Sequence, residues 1–278
     1  MSLLGIGAVL LAFVLIGIPI AISLGLVAVL AMITGPGGVG SIPNVGLVMF
    51  SGATSFPLIA IPLFILAGAI MNASGISRRL VAFASAMVGF VRGGLSMVSI
   101  SASLFFAEIS GSAVADVAAL GSILIPAMKN KGYSSPFAAA VTSSSATLAV
   151  IIPPSIPMIL YGVMSGSSVV ELFVAGILPG VMGGLMMMFV AYLLARRHNF
   201  PTEEMFKLSR VWETFKEAGW ALSLPLIILG GIFGGWVTAT EGAGLAVVAA
   251  VVIGGVVYRE LDWNHLKAAI LEGGTQTA

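Results

Sequence analysis

Cysteine is absent from this chain, histidine occurs twice, and charged residues make up only 8% of its 278 residues. Each scarcity closes off a class of chemistry. Without cysteine there is no disulfide framework, no thiolate metal site and no thiol nucleophile. His198 and His265 sit in polar stretches beside other charges. A buried histidine metal centre or a serine–histidine dyad within the membrane therefore has no candidate, which removes most intramembrane enzymes. No GxxxxGK[ST] loop occurs, so the chain does not burn nucleotide by itself. Twelve basic residues set against eleven acidic ones give a net charge of +1 with no long basic tract. That balance argues against a nucleic-acid partner.

What remains is apolar. With 59% hydrophobic residues and a mean hydropathy of +1.13, most of the chain belongs in lipid, where an all-α fold satisfies the backbone. This composition describes a polytopic membrane protein. The leading run to Gly35 has no basic start and no obvious cleavage site, and it is too long for a signal peptide, so it is expected to stay as membrane helix. Residues 3–34 would measure about 48 Å as one helix. Gly17-Ile18-Pro19 therefore either kinks the run or separates two short crossings.

Between Arg92 and Lys129 run 36 residues without lysine or arginine, apolar at both ends and carrying Glu108, Ser110, Gly111, Ser112 and Asp116 in the middle. A straight helix of that length would reach about 54 Å against a hydrocarbon core of about 30 Å, and would leave two carboxylates in lipid. Folding at Ser110-Gly111-Ser112 instead gives two arms of roughly 20 Å that enter the membrane and return to the same face. Residues 93–128 are thus expected to form a re-entrant helical hairpin whose polar tip is a binding site. Glu108 and Asp116 flank the tip, either as functional ionisable groups or as carboxylates that cap the arm helix.

Basic patches at Arg78-Arg79, Arg92, Lys129 with Lys131, Arg196 to Lys216, Arg259 and Lys267 mark the cytoplasmic side. Both hairpin ends then lie in the cytoplasm, with crossings over 56–72, 136–165, 172–195, 220–237 and 242–258. Residues 80–91 are too short to cross and fit an interfacial helix. In 202–219, Met205, Leu208, Trp212 and Phe215 share one helical face, which suits either an interfacial helix or a solvated connector.

A second informative stretch is SSPFAAAVTSSSATLAVIIPPSIPMILYGVMSG, residues 134–166. Pro136 suits a helix start, whereas Pro153, Pro154 and Pro157 remove amide donors and force a break. Thr142, Ser143, Ser144, Ser145 and Thr147 precede that break. A broken membrane helix leaves carbonyls on one half and amides on the other, groups that persist where they line a cavity or hold an ion. Carbonyl and hydroxyl oxygens suit sodium, and half-helix N-termini suit an anion. Faint internal matches pair 23–31 with 242–250 and 62–68 with 225–231. Either register leaves a second copy of 143–157 beyond residue 278, so an incomplete second repeat is expected.

The runs SFPLIAIPLFILAGAIMNASG (55–75), SLFFAEISGSAVADVAALGSILIPAM (103–128), SSSATLAVIIPPSIPMILYG (143–162) and ELFVAGILPG (171–180) resemble the large membrane subunit of tripartite ATP-independent periplasmic (TRAP) transporters. TEGAGLAVVAAVVIGGVVYRELDW (240–263) also fits, although Ala239 stands where that family more often has proline. The resemblance runs through nearly the whole chain and implies a C-terminally truncated member of an inverted-repeat, elevator-type fold with its second repeat incomplete. It divides the chain into N-terminal scaffold helices (1–92), transport elements (93–166, with the hairpin at 93–128 and the broken helix at 136–165), a crossing and an interfacial helix (167–219), and the start of a second repeat (220–278).

The function so implied is that of a permease rather than an enzyme: a sodium-coupled symporter of the bacterial inner membrane that imports organic acids such as C4-dicarboxylates, sialic or other sugar acids, or keto acids. Its implied partners are a small four-helix membrane subunit and a periplasmic binding protein. No organic cofactor is expected. The resemblance places sodium at Ser110, Gly111, Ser112, Ser144, Ser145 and Thr147, and substrate beside Ser112, Ser145, Pro153, Pro154 and Ser155. Two other readings stand beside it: a dicarboxylate or citrate symporter that works without a binding protein, and a membrane scaffold subunit with no path of its own.

Overall fold

The apolar runs fold as helices, and among the described residues there is no strand. A computed structural model describes residues 3–202 and 205–277, with side chains described there except at Leu3, Glu108, Ile109 and Ser110. Residues 1–55 and 56–278 form two units.

The first unit holds α1 (Leu3–Leu15), α2 (Ile20–Ile33) and α3 (Ile42–Ala53). Pro19 stands immediately before α2 in extended backbone, where its fixed φ and missing amide do no harm. The leading run is therefore two helices, α1 packed on α2, and not one kinked helix. The Ser23 hydroxyl donates to the Ile18 carbonyl at 3.3 Å, satisfying one acceptor that the break exposes.

The second unit contains α4 (Ala60–Ala73), α5 (Ile76–Val88), α6 (Gly94–Ser110), α7 (Ala113–Asn130), α8 (Ser135–Ala146) and α9 (Ile156–Ser165). After these come α10 (Val169–Arg197), α11 (Leu208–Phe233), α12 (Ala239–Val252, prolonged by a π turn to Val257) and α13 (Trp263–Thr277). Among the described residues five segments are long and apolar enough to cross a membrane: Phe56–Ala73, Ala113–Asn130, Val169–Arg197, Leu208–Phe233 and Ala239–Val257.

Small residues decide which of these helices meet closely. Ala239, Ala243 and Ala246 of α12 are buried against Ala60, Phe64 and Ala67 of α4, the spacing that lets two apolar helices approach without bulky ridges between them. α13 also packs on α4, with Gly273 set against Leu66. α11 runs unbroken through Gly219, so residues 208–219 are the first turns of the following span and not a separate helix. One glycine weakens a helix by about 1 kcal/mol, too little to stop a run of good formers on both sides. Phe215 of this stretch rests on Phe83 of α5 at 5.7 Å between ring centres.

A polar node joins distant parts of the unit. Arg78 and Arg79, at the start of α5, each donate to one oxygen of Glu260 at 2.7 Å. The Arg79 guanidinium also lies 3.9 Å over the Tyr258 ring, whose hydroxyl donates to the Glu217 carbonyl of α11 at 2.8 Å. The Arg79 hydrogen bond, with the charges of both arginines, holds the Glu260 carboxyl below its ordinary range.

Candidate functional site

The polar-tipped segment is a helical hairpin. α6 ends at Ser110, Gly111 takes the left-handed conformation at φ +57°, and Ser112 opens α7 as its cap, its hydroxyl accepting from the Ala115 amide at 3.4 Å. Glycine is the residue that adopts this φ without strain, and a serine oxygen satisfies one of the four loose amides at a helix start. Asp116 is fully buried in the first turn of α7, at the positive end of the helix. The side chains of Ser110 and Glu108, both singled out in the sequence, lie outside the described residues.

The proline-rich helix is broken as its composition requires. α8 passes through a short 3-10 turn (Thr147–Val150), the chain opens over 151–155 with a cis bond at Pro153-Pro154, and α9 restarts at Ile156. Ser155 bridges the gap: its hydroxyl donates to the Val150 carbonyl at 2.6 Å and accepts from the Met158 amide at 3.4 Å. One buried side chain thus bonds both halves of the break.

The hairpin tip meets this break. A Cβ built on Gly111 would come within 2.9 Å of the Pro154 carbonyl oxygen and 3.3 Å of the Ile156 nitrogen, so the tip backbone lies directly on the opening. Two helix N-termini, those of α7 and α9, converge there with the C-terminal ends of α6 and of the 3-10 turn after α8. N-termini carry partial positive charge and C-termini partial negative charge, so one small volume offers fields suited to an anion and to a cation. Deeper in the structure the Ser103 hydroxyl of α6 donates to the Ser145 hydroxyl at 2.9 Å, and Ser145 donates to the Thr142 carbonyl at 3.1 Å. Ser103 and Ser145 are both fully buried.

The remaining sequence candidates divide. Ser112, beside the tip, lines a cavity of about 410 Å³ shared with Asn72, Arg78 and Gln276. Pro153 and Pro154 are buried in the break. Ser144, by contrast, lines an apolar cavity between α8 and α10 with Phe137, Met187 and Leu194. The Thr147 hydroxyl is turned to the Ser144 carbonyl at 2.6 Å. Ser144 and Thr147 are exposed, and the Thr147 hydroxyl is spent on the Ser144 carbonyl.

Sequence reasoning missed Ser103. Its signal was Ser96, Ser99 and Ser103 at helical spacing on α6, all three fully buried. It also missed Gly176 on α10, which lies so close to the Ile151 carbonyl that a Cβ there would collide with it. Arg78 was read only as a marker of the cytoplasmic side.

Residues 8–278 match the family model described as tripartite ATP-independent periplasmic transporter, DctM component. The C4-dicarboxylate TRAP transporter large permease protein DctM of Vibrio cholerae is 42% identical over 248 residues, covering 89% of this chain and 54% of that protein. The 2,3-diketo-L-gulonate TRAP transporter large permease protein YiaN of Escherichia coli is 41% identical, covering 83% and 54%. The isethionate TRAP transporter permease protein DctMQ of Oleidesulfovibrio alaskensis is 40% identical, covering 96% and 42%. The chain spans about half the length of the curated relatives it matches. With helices, no strand and five candidate membrane spans among its described residues, and a match to transporter permeases across almost all of its length, the chain belongs to the DctM component family of tripartite ATP-independent periplasmic transporters.

Proposed function

We propose that this chain carries an ion- and anion-binding half-site in the large permease subunit of a sodium-coupled symporter of the bacterial inner membrane. The cargo is an organic acid delivered by a periplasmic binding protein, and a small membrane subunit of four helices completes the assembly. The observation that carries this reading is the seating of Gly111 on Pro154 and Ile156, where four helix ends meet beside buried hydroxyls. Sodium, as co-transported cargo, takes oxygens of Ser110, Gly111, Ser112, Ser144, Ser145 and Thr147, and the Ser144 carbonyl, which accepts the Thr147 hydroxyl, joins the site when that bond opens. The organic anion lies beside Ser112, Ser145 and the Pro153-Pro154-Ser155 turn, facing the helix N-termini.

The relatives' names support the substrate class. Dicarboxylate, diketogulonate, isethionate and sialic acid are all small organic anions. The name DctMQ on one relative favours a second membrane component. Movement is that of an elevator: the α6–α7 hairpin and the α8–α9 broken helix travel together, held by the Ser103–Ser145 bond, past a scaffold built on α4 and α12.

Uptake by the transporter that carries this chain, reconstituted in vesicles, tests the reading. Organic-acid uptake is expected to require both a sodium gradient and the cognate binding protein. Sodium-dependent uptake with no binding protein would make the chain a binding-protein-independent symporter, and sodium-indifferent uptake would refute the coupling.

A further inference from the structure

The cavity that Ser112 lines does not end at the hairpin tip. One wall is a single face of α7, running from Ser112 through Ala118 to Ser122, about 15 Å of helix. Facing it are Asn72 of α4, Arg78 of α5, and Glu272 and Gln276 of α13, around a volume of about 410 Å³. Small residues, among them Gly68, Ala69 and Ala115, line it beside Ile65 and Ile123, which leaves a cavity and not a packed core. The volume lies within the range of pockets that hold small ligands.

Both signs of charge line the cavity, Arg78 from α5 and Glu272 from α13. Arg78 places one guanidinium nitrogen on Glu260 at 2.7 Å, and a guanidinium has five N–H donors, so it keeps donors for a second carboxylate. Asn72 accepts the Ser77 hydroxyl on its carbonyl oxygen at 2.5 Å, which leaves its amide hydrogens for another acceptor. Glu272, on α13, accepts from the Gln276 amide at 3.1 Å. An anion held by Arg78 and Asn72 and a cation held by Glu272 match this lining; a large apolar ligand does not.

We propose that this cavity is a second, transient binding station for the organic anion, a vestibule between the hairpin tip and the cytoplasmic end in which Arg78 and Asn72 receive the carboxylate. The proposal rests on the transport reading above and adds a site to it. Arg79 supplies an internal control. It bonds the same Glu260 carboxylate but does not line the cavity.

The chain has no cysteine, so Ala118→Cys, in the whole transporter freed of other cysteines, reports on the vestibule through a membrane-impermeant maleimide added to inside-out vesicles. The probes are succinate, N-acetylneuraminate, 2,3-diketo-L-gulonate and isethionate, each first scored for uptake. Labelling is expected, and the transported anion, at about four times its half-effective concentration, should slow it about fivefold by mass action. Arg78→Gln should raise that half-effective concentration about tenfold, the loss of one charge-assisted contact. Arg78→Lys should restore part of it, and Arg79→Gln should leave it unchanged. A cysteine that stays unlabelled while a solvent-exposed control reacts, protection that Arg78→Gln does not weaken, or equal effects of Arg78→Gln and Arg79→Gln would each overturn the vestibule. A transporter that moves one anion with sodium yet shows no Arg78-dependent protection removes the vestibule alone, whereas one that moves none removes both it and the reading beneath it.

Discussion

At the scale of single residues the account turns on Gly111. Its φ of +57° and the Pro154 carbonyl beside it oppose a side chain in two independent ways. Gly111→Ala is therefore expected to destabilise the tip by about 1–3 kcal/mol, through left-handed strain together with the close contact. A thermal melt in detergent would register this as a lower midpoint, and an unchanged melt would mean that tip and break are not in contact. Ser103→Ala tests the link between hairpin and broken helix, with an expected loss of about 1 kcal/mol and an acceptor on Ser145 left without its donor. The tip glycine was legible in the sequence because a polar Ser-Gly-Ser interrupts an apolar run too long to cross once. Ser103 was less so, since its partner stands 42 positions away and only the packing of α6 on α8 joins them.

Among elements, the broken helix is held open from behind. Gly176, Gly180 and Gly184 form a stripe on α10, set against Ile151, Ile152 and Leu104 respectively. Gly176 touches the break itself, where only a hydrogen leaves room for the Ile151 carbonyl. Gly176→Leu should push α10 away at an overpacking cost of about 1–3 kcal/mol. The measurable result is a lower melting temperature with reduced uptake, and a variant with wild-type stability would show that α10 does not seat the break. The hairpin and the broken helix were readable from length and proline placement, and their observed ends lie within two residues of those expected. The start of α11 was not readable, because an amphipathic run and an apolar run are both good helix formers and nothing between them but Gly219 marks a boundary.

Across the whole molecule, residues about 180 positions apart meet in the node of Arg78, Arg79 and Glu260. A lowered carboxyl pKa means that the folded state prefers the charged form. The stabilisation is complete above the ordinary value of 4.5 and is lost as pH falls through the lowered folded value. Wild type and Glu260→Gln should thus differ in melting temperature near neutral pH and converge once the pH has fallen below the lowered folded value; a gap that persists in the most acid samples would assign the effect to packing. No pattern in the sequence pairs these groups, although the positive-inside rule assigned Arg78 and Arg259 to one side, and the Arg78–Glu260 contact agrees with it. The central claim is that the hairpin tip and the helix break bind sodium and an organic anion together. Its most direct test is the sodium dependence of initial uptake by the transporter carrying Ser145→Ala. Loss of one oxygen ligand should raise the half-saturating sodium concentration about fivefold. A sodium curve identical to that of the wild type, with only the maximal rate lowered, would contradict the claim and leave Ser145 a packing residue.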